Sequence, residues 1–293
     1  MRSLKLSLLW LLVLAIAPAA WGEVIGGPAA GPTGGESPPV TTANTTLIAG
    51  VPAYVWHHGC GPTAGGMILG YWDARGFVWL IPGSNDWDTN RQAIQDAIAS
   101  PAHVADYALY DGVDDSSYAQ PYPDRSEHAL GPGHLPNSLA DCMRASQSVR
   151  GMKYGWSTWD NQGTGLAEYA RLCGYDSEMT QRGFASGLWD ALVAAIDAGE
   201  PVELIVDSDG NGATDHFVTA IGYDDTPGDL RYAAYNTWDR DVHWYEYAEI
   251  DAGQAWGVYG GTFFRPVPEP TAGVVLVLGA MVALLRHRRR PKV

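Results

Sequence analysis

The chain runs to 293 residues with 33 acidic and 18 basic side chains, a net charge of −15. So acidic a surface repels nucleic acid and anionic lipid, and the length suits one good-sized globular domain with tails. No phosphate-cradling glycine loop, zinc-ligand spacing or dinucleotide fingerprint is visible, so no organic cofactor is expected.

Residues 1–22 read as a secretory signal. Arg2 and Lys5 precede an apolar stretch from Leu6 to Ile16, and Ala20-Trp21-Gly22 forms a small-x-small cleavage site. Residues 23–46, rich in Gly, Pro, Ala and Thr, read as a flexible lead segment with no core of its own. The globular domain is expected over 47–266. Removing both ends concentrates the charge, because residues 23–266 hold 11 basic against 32 acidic side chains.

Within that domain the spacing predicts a helix from Pro62 to about Ala74, with Ala64, Met67, Ile68, Tyr71 and Trp72 on its apolar face. Further helices are expected over Arg91–Ser100, Ser138–Ser146, Thr164–Cys173 and Ser186–Ala198, the last stopped by Gly199 with Pro201 beyond. The period then changes. Val202–Val206, His216–Tyr223, Arg231–Asn236, His243–Ile250 and Trp256–Phe264 read as strands. Helices followed by a mostly antiparallel sheet give an α+β class.

The most informative stretch is His58-Gly59-Cys60-Gly61-Pro62-Thr63-Ala64, just ahead of the first helix. A thiol at a helix N-terminus feels the positive end of the dipole, which can lower its pKa from about 8.5 to roughly 3.5–7.5. Cys60 is therefore a candidate nucleophile, the alternative being a buried structural cysteine. A thiol nucleophile needs a base and an orienting group. His216 opens one predicted strand and Asn236-Thr237-Trp238 closes the next, so imidazole and amide could lie side by side facing Cys60. Asn236 would then bond one ring nitrogen and leave the other for sulfur.

Gly-Cys-Gly-Pro-Thr-Ala, the Gly199-Glu200-Pro201-Val202 step, His216 to Tyr223 and Asn236-Thr237-Trp238 occur in the order Cys, His, Asn. Together they resemble the C39-like, papain-type cysteine peptidases. The resemblance implies a papain-like fold, peptide or protein substrates, Cys60 as nucleophile, His216 as general base and Asn236 as orienting residue, with Asp239 as the fallback third member. An amidase or transglutaminase-like acyl transfer would use the same parts. So would a catalytically impaired surface or matrix binding protein keep the same fold. One departure stands out. Such enzymes carry a Gln a few residues before the nucleophile, whereas Tyr54-Val55-Trp56-His57-His58 fills that stretch here. A second oxyanion donor would have to be the Trp56 indole or an imidazole of His57 or His58, unless those two are ordinary loop histidines.

Three further features complete the reading. Cys142 and Cys173 either pair, leaving Cys60 free, or stay reduced. Asp207-Ser208-Asp209-Gly210-Asn211-Gly212-Ala213-Thr214-Asp215 has the head of a calcium loop, through Asp207, Asp209, Asn211 and Asp215. Val218 stands where the loop's bidentate Glu belongs, so a hydrogen-bonded turn is the plainer alternative. Asp111, Asp114, Asp115 and Asp124 among tyrosines suggest a solvated insertion, or a border of the substrate groove.

Residues 267–293 carry a second address. Val267-Pro268-Glu269-Pro270 precedes an apolar run, Thr271 to Leu285, and then Arg286, Arg288, Arg289, Arg290 and Lys292. Fifteen helical residues at ~1.5 Å each cover about 22 Å, short of a ~30 Å hydrocarbon core. The arrangement resembles the PEP-CTERM sorting signal of Gram-negative bacteria. That resemblance implies transient membrane contact, processing by an exosortase, and delivery to the outer surface or an exopolysaccharide matrix; a simple C-terminal anchor is the alternative.

Overall fold

A computed structural model describes residues 35–40, 42–107, 125–127, 132–150, 152 and 154–268. The expected signal over 1–22, the acidic loop from Asp111 to Asp124, and the sorting segment beyond Pro268 lie outside the described residues. Among the described residues no helix is long and apolar enough to cross a membrane.

The α+β order is as expected. Strands β1 (Thr45–Leu47), β2 (Asp176–Gly183), β3 (Val202–Asp207), β4 (His216–Asp224), β5 (Arg231–Tyr235), β6 (His243–Glu246) and β7 (Gly257–Val267) form one antiparallel sheet. Its order is β2-β7-β3-β4-β5-β6, with β1 pairing β4 beyond the part that β3 covers. β3 and β4 are buried along their whole length, so both faces of the sheet are covered.

Strand alternation assigns those faces. Val202, Leu204 and Val206 pack with Leu188, Leu192 and Ile196 of helix α6 (Leu188–Asp197). Ile205 and Phe217 instead meet Cys60 and Ala64 of helix α1 (Cys60–Asp73). The Thr219 hydroxyl ties the strand to α1 by donating to the Ala64 carbonyl at 2.9 Å. Every α1 residue but Trp72 is buried, as expected of a helix enclosed by sheet on one side and helices on the other. That second side is built by α2 (Trp87–Ile98), α4 (Leu139–Cys142) and α5 (Trp159–Leu172), with α3 (Pro101–Tyr107) alongside.

The differences from the predicted elements have local causes. β2 exposes alternate polar residues and carries no apolar period, so nothing in its sequence marks a strand. Helix α4 ends at Cys142 because Arg144 and Ser146 adopt positive φ of 56° and 62°. The lead segment is not free where it is described. Thr45–Leu47 pairs with Gly222–Asp224, the Ser37 N–H donates to the Trp244 carbonyl, and the Val40 N–H donates to the Asp224 carboxylate.

Candidate active site

Cys60 is the first residue of α1, and Gly59 before it turns at φ 144°, a conformation open to glycine. Pro62 sits in the first turn, where its missing N–H would have had no helical partner. The thiol has no solvent exposure and lies among Ile205, Phe217, Trp56, Trp159 and Tyr259. Here burial beats the helix end. Desolvation of the thiolate pushes Cys60 up to about 12, although the Phe217 and Gly61 N–H groups favour the anion. The expected low thiol pKa is therefore corrected: at rest this is a neutral thiol.

The Phe217 amide that meets sulfur belongs to the residue after His216, so thiol and imidazole converge on the opening of β4. They converge through the backbone. Phe217 turns to the α1 side, whereas His216 stacks on Trp238 with ring centroids 4.1 Å apart and meets Trp256 edge-on. His216 Nε2 lies 2.7 Å from the Asn236 main-chain carbonyl. Among the described residues, imidazole and sulfur share no hydrogen bond. A carbonyl only accepts, so Nε2 carries the proton and Nδ1 keeps the lone pair that a general base needs. Burial lowers His216 to about 4, partly opposed by that hydrogen bond.

The orienting atom is thus a main-chain oxygen and not the expected Asn236 amide. The amide has other work: Nδ2 donates to the Tyr245 hydroxyl at 3.2 Å, and Oδ1 accepts from the Trp238 N–H at 3.0 Å. This second bond closes an Asx turn around Thr237, a β-branched residue at φ 72°. Asp239, the fallback, accepts from His243 Nε2 at 2.8 Å, while His216 Nε2 is taken by the Asn236 carbonyl.

Of the three expected oxyanion donors, the structure brings one to the thiol. Trp56 packs on the Cys60 cluster with its indole N–H buried and without a partner, and its main-chain N–H donates to the Thr237 carbonyl. His57 turns its ring to the Ala99 carbonyl at 3.3 Å. His58 sits at φ 58° against Tyr154 and His103.

Sequence reasoning missed Gln162. This α5 residue is fully buried, and neither atom of its amide has a hydrogen-bond partner. A methyl group on Gly61, the neighbour of Cys60, would meet both amide atoms at 2.5 Å. Gly61 is bare because the Gln162 amide occupies that space. Trp159 brings this end of α5 close by packing on Gly260 of β7, which likewise has no room for a side chain. Gln162 stands a hundred residues downstream of the nucleophile, so no local pattern could mark it. A second buried group, Glu203 on β3, has two unpartnered carboxylate oxygens, and burial holds it well above the usual carboxylate range.

Of the two alternatives for Cys142 and Cys173 the structure has the reduced one: Cys60, Cys142 and Cys173 are all free thiols. In the candidate calcium loop, Asp207, Asp209 and Asp215 offer oxygens within 4.8 Å of one another. Asp207 already accepts the N–H groups of Gly210, Asn211 and Gly212, and Asn211 turns its amide to Asp209 and Ala213. Three of the four expected side chains therefore cluster, while the Asn211 amide is already engaged.

Compared with known proteins, residues 48–262 match the model of the Peptidase_C39 like family. The chain belongs to that family. Among solved structures, the active wild-type interpain A cysteine protease of Prevotella intermedia is similar with a TM-score of 0.39 at 12% identity, over 80% of this chain and 99% of that one. No curated protein matches.

Proposed function

We propose that this C39-like domain is a cysteine peptidase that hydrolyses peptide bonds through an acyl-enzyme. Cys60 gives its proton to His216 Nδ1 and attacks the scissile carbonyl carbon. The oxyanion is met by the Trp56 indole and the Gln162 amide. His216 then protonates the leaving amine, and water releases the acyl group from sulfur. The observation that carries this reading is two buried, partnerless N–H donors near a helix-terminal thiol, the Trp56 indole packed on the Cys60 cluster and the Gln162 amide against Gly61, the next residue. An unmade hydrogen bond in the interior costs about 1–3 kcal/mol, and an oxyanion formed at Cys60 would give both groups an acceptor. Because the resting thiol is buried and neutral, Trp56 and His216 must shift when substrate enters, and sulfur and imidazole then share the proton directly.

The chain ends support an exported enzyme held at the membrane until an exosortase removes the tail, and then released to the outer surface or matrix. The test is covalent labelling. A thiol-directed peptide probe should modify Cys60, and Cys60→Ala should abolish both labelling and hydrolysis of an unfolded protein substrate. Hydrolysis that survives the substitution, or labelling undiminished from the parent, refutes the assignment. One observation favours a second reading, an impaired binding protein on the same fold: the thiol has no exposure and no hydrogen bond to His216. That reading requires folded protein whose Cys60 stays unlabelled whatever peptide is offered.

A further inference from the structure

A second polar cluster lies behind the nucleophile turn and has no part in the proposed chemistry. His103 of α3, His134 of the 132–138 connection and Asp141 of α4 bring one ligand atom each within 4.8 Å of one another. His103 Nδ1 stands 2.5 Å and His134 Nε2 3.0 Å from the same oxygen, Asp141 Oδ1. We infer that these three side chains bind a divalent cation of the zinc class.

Hydrogen-bond accounting supports this. Asp141 Oδ2 is already saturated by the Asn137 and Ser138 N–H groups and the Ser138 hydroxyl, which fixes the carboxylate and leaves Oδ1 as its only free ligand. His134 Nδ1 meets Asp106 Oδ2 at 2.5 Å, and Arg125 approaches the other Asp106 oxygen at 3.2 Å. A carboxylate on the far nitrogen is the usual support of a metal-bound imidazole, because it fixes the ring and raises its donor strength.

Without a cation, both imidazoles must aim protons at one oxygen while His134 gives a second proton to Asp106. His103 is fully buried and its Nε2 has no partner with or without a cation, so the conflict that a cation relieves is the crowding of protons on Asp141 Oδ1. With a cation, the lone pairs of His103 Nδ1 and His134 Nε2 and one Asp141 oxygen converge on it, and His134 keeps a single proton for Asp106. Ligands at about 2.0–2.1 Å in a tetrahedron lie about 3.3 Å apart, so the 2.5 and 3.0 Å approaches to Asp141 Oδ1 must both open as the ion enters between them. Two nitrogens and one oxygen suit zinc better than calcium or magnesium. His134 is 12% exposed, so the cluster reaches solvent on that side and an ion has an entry path. The ion would also brace the nucleophile turn, since His103 packs edge-to-face on His58 with centroids 5.1 Å apart.

The test uses the full chain in a Cys60→Ser background, so that zinc on the catalytic thiol is not counted. After equilibration with zinc chloride and desalting, metal analysis should find a single zinc per chain, and cobalt should give the intense visible bands of a tetrahedral site. His134→Gln and His103→Gln should lose both signals, and Asp106→Asn should weaken zinc about 10–100-fold. Folded parent protein without stoichiometric zinc overturns the site. So does undiminished zinc in a folded His134→Gln variant.

Discussion

Replacing Asn236 with alanine separates an orienting carbonyl from an orienting amide. The substitution deletes two side-chain hydrogen bonds, to the Tyr245 hydroxyl and from the Trp238 N–H, but leaves the carbonyl that holds His216 Nε2 at 2.7 Å. Two neutral hydrogen bonds contribute about 1 kcal/mol each, so stability should fall by about 2 kcal/mol. In a domain of this size that lowers the melting temperature by about 4–8 °C. The imidazole keeps its tautomer, so kcat/KM should drop less than tenfold, or about 1.4 kcal/mol. Asn236→Asp, whose carboxylate can accept from both the Trp238 N–H and the Tyr245 hydroxyl, should recover most of the stability. The assay combines thermal melts with hydrolysis of an unfolded protein substrate and the rate of Cys60 labelling. Were the amide the orienting group, its loss would free the ring and the wrong tautomer. A fall of a hundredfold or more in kcat/KM with a near-normal melt would refute the carbonyl.

Gln162→Leu should reduce turnover about 10²–10³-fold while iodoacetamide labels Cys60 at an unchanged rate, because alkylation builds no oxyanion. Equal loss of both would make Gln162 a packing residue. His216 is held near 4 against an ordinary 6.5, so the folded protein binds its proton less readily than the unfolded chain. Its contribution to stability is full above about pH 6.5 and is lost as pH falls to 4, by about 3 kcal/mol. Asp215, lifted to about 6 by burial, acts with the opposite sign, so the imidazole is read from denaturation of wild type against His216→Gln across pH 4–7. Parallel curves would contradict a buried neutral imidazole. With all three thiols free, dithiothreitol should leave the melting temperature unchanged, and a fall of several degrees would reveal a bond between Cys142 and Cys173.

Local order was legible in the sequence wherever it has a period. The run of small and apolar residues after Cys60 required a buried helix, and β3 to β5 followed from apolar strands between turn residues. The order Cys60, His216, Asn236 was equally plain, because residue identity and succession need no folding to be read. Long-range placement was not legible. The sequence named Asn236 but not which of its atoms faces His216, a choice made by the Thr237 turn and the Tyr245 hydroxyl. It placed Cys60 at a helix end but not inside a cluster of aromatic side chains whose desolvation outweighs the dipole. It noted a missing Gln upstream, while packing of α5 on Gly260 and Gly61 brings Gln162 from a hundred residues away. His103, His134 and Asp141 likewise carry no ligand spacing in the chain and meet only when α3 and α4 dock. Periodicity records which face of an element is buried. Against what it is buried, and with which charges beside it, is decided by contacts between residues far apart in sequence.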